Sequence, residues 1–120
     1  MRTIKLVRAE ESQKAPADWG ALTWYANAAL GNSDQMTVGK CVIKPGKANP
    51  PHSHPNCYET LVVMEGQIEH MVEGGAYVPM SAGDTITIPA NIRHQARNIG
   101  SRDAVMYIAF SSGTRETKGE

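Results

Sequence analysis

Four residues carry the chemistry this chain can do: His52, His54, Glu59 and His94, three of its four histidines and one glutamate. His52-Ser53-His54 places two imidazoles two positions apart, and in an extended chain side chains at that spacing point the same way. Pro50-Pro51 before the pair and Pro55 after it disfavour a helix there. Glu59 follows across a turn, and His94 comes from a distant strand. Together they offer three nitrogen ligands and one oxygen ligand that converge on a point, a set suited to a divalent transition metal.

Neutral imidazoles and one carboxylate would leave a bound divalent ion at a net charge of about +1, with roughly two positions open in an octahedral shell. Fe, Mn, Ni, Co, Cu and Zn all accept such a set, so one divalent transition metal per chain is expected without its identity. The chain holds no Gly-rich phosphate loop, no Gly-x-Ser-x-Gly elbow and no Cys-x-x-Cys pair. What remains is Lewis-acid polarisation, templating of a bidentate oxygen ligand, or activation of O₂ beside a substrate.

The elements that must position these residues read as all-β. Gly and Pro interrupt the chain at short intervals, and the segments between are strand-length and rich in Val, Ile, Thr and Tyr. Expected strands run over 22–28, 36–43, 48–54, 58–64, 67–72, 76–79, 84–88, 92–99 and 104–111. Gly31-Asn32-Ser33-Asp34, Gly74-Gly75 and Gly100-Ser101-Arg102-Asp103 supply turns. Residues 1–20 are expected as an N-terminal arm, 21–112 as a single barrel domain and 113–120 as a C-terminal tail.

Around the four candidate ligands, Gly46, His52, His54, Glu59 and Gly66 form one spaced motif and Gly83, Pro89, His94 and Asn98 a second. In these two motifs the chain resembles the cupin superfamily, over residues 46–98, and in particular its small single-domain members. The resemblance implies a double-stranded β-helix, a jelly-roll barrel, with one motif in each half. It leaves the reaction open, because cupins include dioxygenases, decarboxylases, isomerases, epimerases, lyases and proteins that only bind or store. One position departs from the signature: Pro-x-Gly is here Pro89-Ala90-Asn91. Asn tolerates positive φ better than other non-glycine residues, so the turn is expected to survive. The presence of Glu59 separates the chain from cysteine-dioxygenase-like cupins, which lack that ligand.

Parity sorts the remaining candidates. His70 shares a face with Ile68 and Val72 and should point inward, either as a proton carrier or substrate anchor beside the metal, or as a hydrogen-bonded core histidine. Cys57 has the parity of Glu59 and is either near the site or a small packed thiol. Cys41 and Cys57 are expected as free thiols. Arg93 and Arg97 flank His94 on the opposite face. Met36, Met64, Met71, Met80 and Met106, with Trp24, Tyr25, Tyr107 and Phe110, supply bulk for a core or a pocket wall.

Twelve basic and twelve acidic residues spread without runs over 120 positions give no field for a polyanion, so small molecules rather than nucleic acid are the expected partners. The charged start of the chain has no apolar stretch of the secretory kind, and no run approaches a membrane span. A cytoplasmic protein is expected. Leu61 and Val63 share the face of Glu59, yet Val62 and Met64 make the opposite face apolar too, and 104–110 behaves alike. A sheet facing water should alternate with polar residues, so a homodimer covering the outer face is expected. A metalloenzyme of dioxygenase or isomerase/lyase type acting on a small oxygen-bearing compound is the leading reading, with a non-catalytic binding or sensing module as the alternative.

Overall fold

A computed structural model of the protein describes residues 3–119. Eleven strands appear in chain order: β1 (Gln13–Ala17), β2 (Gly20–Ala26), β3 (Thr37–Ile43), β4 (His52–Ser53), β5 (Glu59–Glu65), β6 (Gln67–Met71), β7 (Tyr77–Ser81), β8 (Thr85–Ile88), β9 (Ala96–Asn98), β10 (Ala104–Phe110) and β11 (Lys118–Gly119). Six form one antiparallel sheet in the order β1-β2-β3-β10-β5-β8. A three-stranded sheet, β7-β6-β9, makes the other wall. The β11-β4 pair extends that wall, because isolated bridges join Ala48 to Arg97 and His52 to His94. The all-β jelly roll expected from the motifs is the fold observed.

Alternation explains the layering. Along β3, Thr37, Gly39, Cys41 and Ile43 are buried while the residues between them are half-buried, and β10 buries the same alternate positions from Ala104 to Phe110 with Tyr107 exposed between them. In β5 the buried positions are Glu59, Leu61 and Val63, so one carboxylate shares the inward face with two aliphatic side chains. Ile43, Val63, Ile68 and Met106 are fully enclosed between the sheets. Burial of each such side chain stabilises the fold by about 1.5–3 kcal/mol before the entropy of ordering is counted.

Trp24 on β2 packs into this core at the one place where β3 has no side chain. A Cβ on Gly39 would stand 2.5 Å from the Trp24 ring and 2.6 Å from the Thr23 carbonyl. Only glycine admits the indole there. The ring meets Phe110 edge-on with centroids 6.0 Å apart, and both line the interior cavity described below.

The expected strands differ from the observed ones chiefly at the prolines. The segment 48–54 keeps only His52–Ser53 as strand, since Pro50 and Pro51 have no N–H to donate to a ladder. The segment 92–99 narrows to Ala96–Asn98, His94 being held by a single bridge. Within the stretch expected as an arm, Gln13–Ala17 pairs with β2 in a register running from Gln13 opposite Trp24 to Ala17 opposite Gly20. This segment is polar and contains Pro16, which a sheet accepts at its edge, and β1 is an edge strand. Within the stretch expected as a tail, Lys118 and Gly119 pair with Ser53 and His52.

Candidate metal centre

The two ends of the ligand set are fixed to one another through the backbone. His52 N donates to the His94 carbonyl at 3.0 Å, and His94 N returns the bond to the His52 carbonyl at 2.8 Å. This reciprocal bridge puts the two rings 4.3 Å apart, with His54 at 4.9 Å from His52 and 5.3 Å from His94. Glu59 enters from the opposite sheet at the first position of β5. One ligand atom from each of the four residues lies within 4.8 Å of all the others. His54, Glu59 and His94 are buried and His52 is half-buried.

The tautomers follow from the outer ring nitrogens. Nδ1 of His52 lies 2.8 Å from the Pro50 carbonyl, Nδ1 of His54 2.9 Å from the Glu116 carbonyl, and Nδ1 of His94 2.8 Å from the Ile92 carbonyl. A carbonyl only accepts, so each Nδ1 must carry the proton and each neutral ring turns a lone pair inward at Nε2. Such outer hydrogen bonds are the ones that orient metal-binding imidazoles.

The inward atoms then form a cluster of acceptors without donors. His54 Nε2 is buried with no hydrogen-bond partner and lies 3.2 Å from Glu59 Oε1; His94 Nε2 lies 3.0 Å from the same oxygen. Lone pairs facing a carboxylate at this distance repel unless a proton or a cation stands among them. Burial acts to raise the Glu59 carboxyl, but the adjoining His54 and His94 imidazoles outweigh it and hold it down at about 2. Burial likewise acts to lower His94, and Glu59 overcomes it, raising the imidazole above its ordinary range. His52 is pushed down to about 4, by burial and then by His94. A proton on His94 is the metal-free answer to a charge imbalance that a divalent cation would also resolve.

The ligand atoms face a cavity of about 340 Å³ between the sheets. Its walls are largely Trp19, Leu22, Trp24, Leu61, Ile108 and Phe110, and His70 reaches it as well. The inward orientation of His70 is observed. Its ring is 1% exposed, stacks on His94 at 5.8 Å and 14°, and its Nδ1 lies 2.8 Å from the Met71 carbonyl. The His70 ligand atom stands outside the four-residue cluster. It is a hydrogen-bonded interior histidine that also borders the cavity.

Other candidates fall away from the centre. Arg97 points outward, pairs with Glu69 at 2.9 Å and covers the Tyr77 ring at 3.4 Å; Arg93 is exposed. Both cysteines are free and buried. Cys57 is not on the cavity wall, whereas Cys41 is, its thiol pushed up to about 12 by burial and then by Glu59. Of the aromatic and sulfur side chains singled out above, Trp24 and Phe110 line the cavity, Tyr25 and Tyr107 pack against each other at 6.4 Å, and Met36, Met64, Met71, Met80 and Met106 lie off its wall. Asn98 of the second motif works on the backbone instead: its Nδ2 donates to the Ile43 and Arg102 carbonyls at 2.7 and 2.8 Å.

Residues near the C-terminus complete the site and had no signal in the sequence. Arg115, Thr117 and Gly119 line the cavity, and Glu116 supplies the carbonyl that orients His54. Their segment is polar, short and without periodicity, so only the three-dimensional pairing of β11 with β4 reveals it.

Comparison with known proteins agrees with this geometry. The family model for the cupin domain matches residues 39–110. A "polyketide synthase CurC" of Streptomyces cyaneus is 32% identical over 74 residues, covering 62% of this chain and 47% of that one. Oxalate oxidase 1 of Hordeum vulgare is 29% identical over 96 residues, covering 74% and 46%. The chain thus spans less than half the length of these relatives. Among solved structures, an oxalate decarboxylase of Lactobacillus farciminis in complex with formate superposes with a TM-score of 0.82 at 16% identity, covering 92% of this chain and 34% of that one. An oxalate decarboxylase of Bacillus subtilis with Mn(II) centres gives 0.81 at 20% identity, covering 93% and 31%. At such identities the likeness is one of fold. Two spaced motifs, a jelly roll whose walls carry them to one point, and a matching family model over most of the barrel lead to one assignment: the chain belongs to the cupin domain family.

Proposed function

We propose that the protein is a metal-dependent cupin enzyme in which His52, His54, Glu59 and His94 hold one divalent transition metal. The observation that carries this reading is the set of inward lone pairs: three Nε2 atoms and a carboxylate oxygen brought together while every Nδ1 is committed to a carbonyl. The substrate would be a small oxygen-bearing compound that chelates the ion, and the reaction of dioxygenase or isomerase/lyase type. Oxalate oxidases among the relatives and an oxalate decarboxylase with Mn(II) centres among the fold neighbours favour redox or carboxylate chemistry of that kind.

A bound ion would polarise the substrate oxygens and stabilise negative charge that develops on them. The chain's own residues do the rest. The apolar wall of Trp24, Leu61, Ile108 and Phe110 excludes water and strengthens the field of the charged groups. His70 keeps its Nδ1 proton on the Met71 carbonyl, so a proton in transit is taken up or released at Nε2. Burial pushes this imidazole below its ordinary range, which keeps it neutral and able to accept a proton near neutral pH.

Elemental analysis of protein purified without added metal, followed by oxygen-uptake assays with the ion found, tests the reading. One metal per chain, lost on His52→Ala and on His94→Ala, is the expected result; full metal retained in both variants would sink it. Tight binding of a chelating metabolite without turnover, with or without O₂, would identify a binding module instead. We also propose a homodimer, supported by Tyr58, Met64 and Tyr107 standing 55, 46 and 41% exposed. A single species of monomer mass in sedimentation at micromolar concentration would refute it.

A further inference from the structure

Among the described residues, Arg115 is the one arginine or lysine on the cavity wall and Glu59 the one carboxylate. The guanidinium carbon sits 4.4 Å from the Trp24 ring and 5.3 Å from that of Phe110, and Nη1 donates to Thr117 Oγ1 at 2.6 Å. The backbone on either side is clamped by a single side chain. Asn56 Nδ2 donates to the Thr114 carbonyl at 2.7 Å, and Glu116 N donates to Asn56 Oδ1 at 3.0 Å. The arginine is therefore presented to the cavity in a fixed posture rather than trailing in solvent.

Among the described residues no carboxylate forms an ion pair with it; Glu59, whose charge it feels across the cavity, is engaged by His54 and His94. A partly buried guanidinium normally has an anionic partner, because five donors and a charge are costly to leave unsatisfied. Its charge is only partly hydrated, and burial lowers its pKa from the ordinary value. With Glu59 committed to a divalent ion, the two together with Arg115 leave the cavity at a charge of about +2, which selects an anion. Apart from the histidines, Cys41, Asn49 and Thr117, the rest of the wall is largely aromatic and aliphatic, led by Trp19, Leu22, Trp24, Leu61, Ile108 and Phe110.

We propose that Arg115 is the specificity-determining anchor of the cavity and that the substrate is an organic carboxylate carried on an apolar or aryl body. The inference rests on the metal site proposed above for the chelating end of the ligand. Arg115 takes the carboxylate in charge-assisted hydrogen bonds. Trp24, Leu22 and Ile108 enclose the apolar body. A compact dianion such as oxalate leaves that wall unfilled, so the selectivity differs from the one named for the oxalate-acting relatives.

Calorimetric titration of the zinc-loaded full chain with phenylpyruvate, its methyl ester and oxalate tests the proposal with a redox-silent ion. Phenylpyruvate is expected to bind about 10-fold or more tightly than either competitor, and Arg115→Gln to weaken it about 10-fold while leaving the ester unchanged. Zinc stoichiometry and circular dichroism of the variant report an intact site and fold. Should Arg115→Gln not fold, the metal-free chain titrated with 3-phenylpropanoate and its amide decides, because no chelation by zinc enters that comparison. Equal affinities for acid and ester, oxalate tighter than phenylpyruvate, or no effect of Arg115→Gln would each overturn it. Failure of the unaltered protein to take up zinc would instead remove the metal reading. The anchor is then read on the metal-free chain with 3-phenylpropanoate and its amide by tryptophan fluorescence, where equal binding of the two, or none, overturns it.

Discussion

His54 and Glu116 are joined by a 2.9 Å hydrogen bond from the imidazole Nδ1 to the backbone carbonyl, across 62 positions of sequence. A residue proposed to ligate a metal is thus oriented by the last few residues of the described chain. The segment is held by the Asn56 clamp, the stacking of Arg115 on Trp24 and the short β11-β4 pairing. Asn56→Ala is expected to weaken metal binding about 10-fold, the lower end of what loss of an orienting contact costs. Thermal stability should change little, since both clamped positions are exposed. Competition with a chromophoric chelator measures the affinity, and an unchanged value would show that His54 needs no support from Glu116.

Acid should weaken the metal-free fold in two stages. His52 falls from its ordinary 6.5 to about 4 when folded, so between those values the unfolded chain binds a proton that the folded chain refuses. Stability is lost as pH drops through that window, and His70, also lowered, acts in the same direction. His94 is raised and opposes them, adding stability below its unfolded value that disappears as pH climbs through its folded one. Glu59, depressed from 4.5 to about 2, contributes stability above 4.5 that is lost as pH falls toward 2. Urea unfolding of metal-free protein should show a decline on the order of 2 kcal/mol between pH 6.5 and 4. His52→Gln should flatten this upper stage and spare the lower one; an unaltered slope in that variant would contradict the assignment.

Glu59→Gln separates the pair that dominates the site. With the carboxylate gone, only the hydrogen bond to the Ile92 carbonyl still offsets the burial that acts to lower His94, so its pKa should fall from its raised position. Titration of the His94 ring protons by NMR in metal-free protein reads the change. The same variant replaces an anionic ligand by a neutral amide, and zinc affinity should fall about 100-fold or more. Persistence of a raised His94 pKa in Glu59→Gln would place its cause elsewhere.

How much of this was legible beforehand depended on periodicity. The inward turn of Leu61, Val63 and His70 follows from two-residue alternation, which the observed burial of β5 and β6 repeats, whereas the four candidate ligands were marked by the two spaced motifs. Turn chemistry likewise forecast where Asn91 would sit in backbone space. Parity carried no information where the chain is irregular. His94 is held by one bridge rather than a strand, Cys57 lies in a turn, and Arg115 reaches the cavity from a segment with two paired residues. Cys41 was accessible to the same alternation, being inward on β3, but a lone thiol among aliphatic residues gives no sign of bordering a cavity.

Asn91 is the only non-glycine among the described residues with positive φ, at 67°, and stands where the cupin signature has glycine. Its backbone N–H donates to the His54 carbonyl at 2.9 Å, so the turn is tied directly to a proposed ligand. A side chain without local hydrogen-bonding capacity pays about 1–2 kcal/mol in this region, and a β-branched one more, whereas glycine enters freely. Asn91→Gly should therefore retain stability and metal affinity, Asn91→Ala should cost about 1 kcal/mol, and Asn91→Val should cost more. The ordering matters more than any single value, because loss of side-chain contacts alone would make glycine the most harmful of the three. Denaturant midpoints set beside zinc affinities decide the matter. If glycine proves worst, the Asn91 side chain rather than its backbone angle holds the turn beside His54.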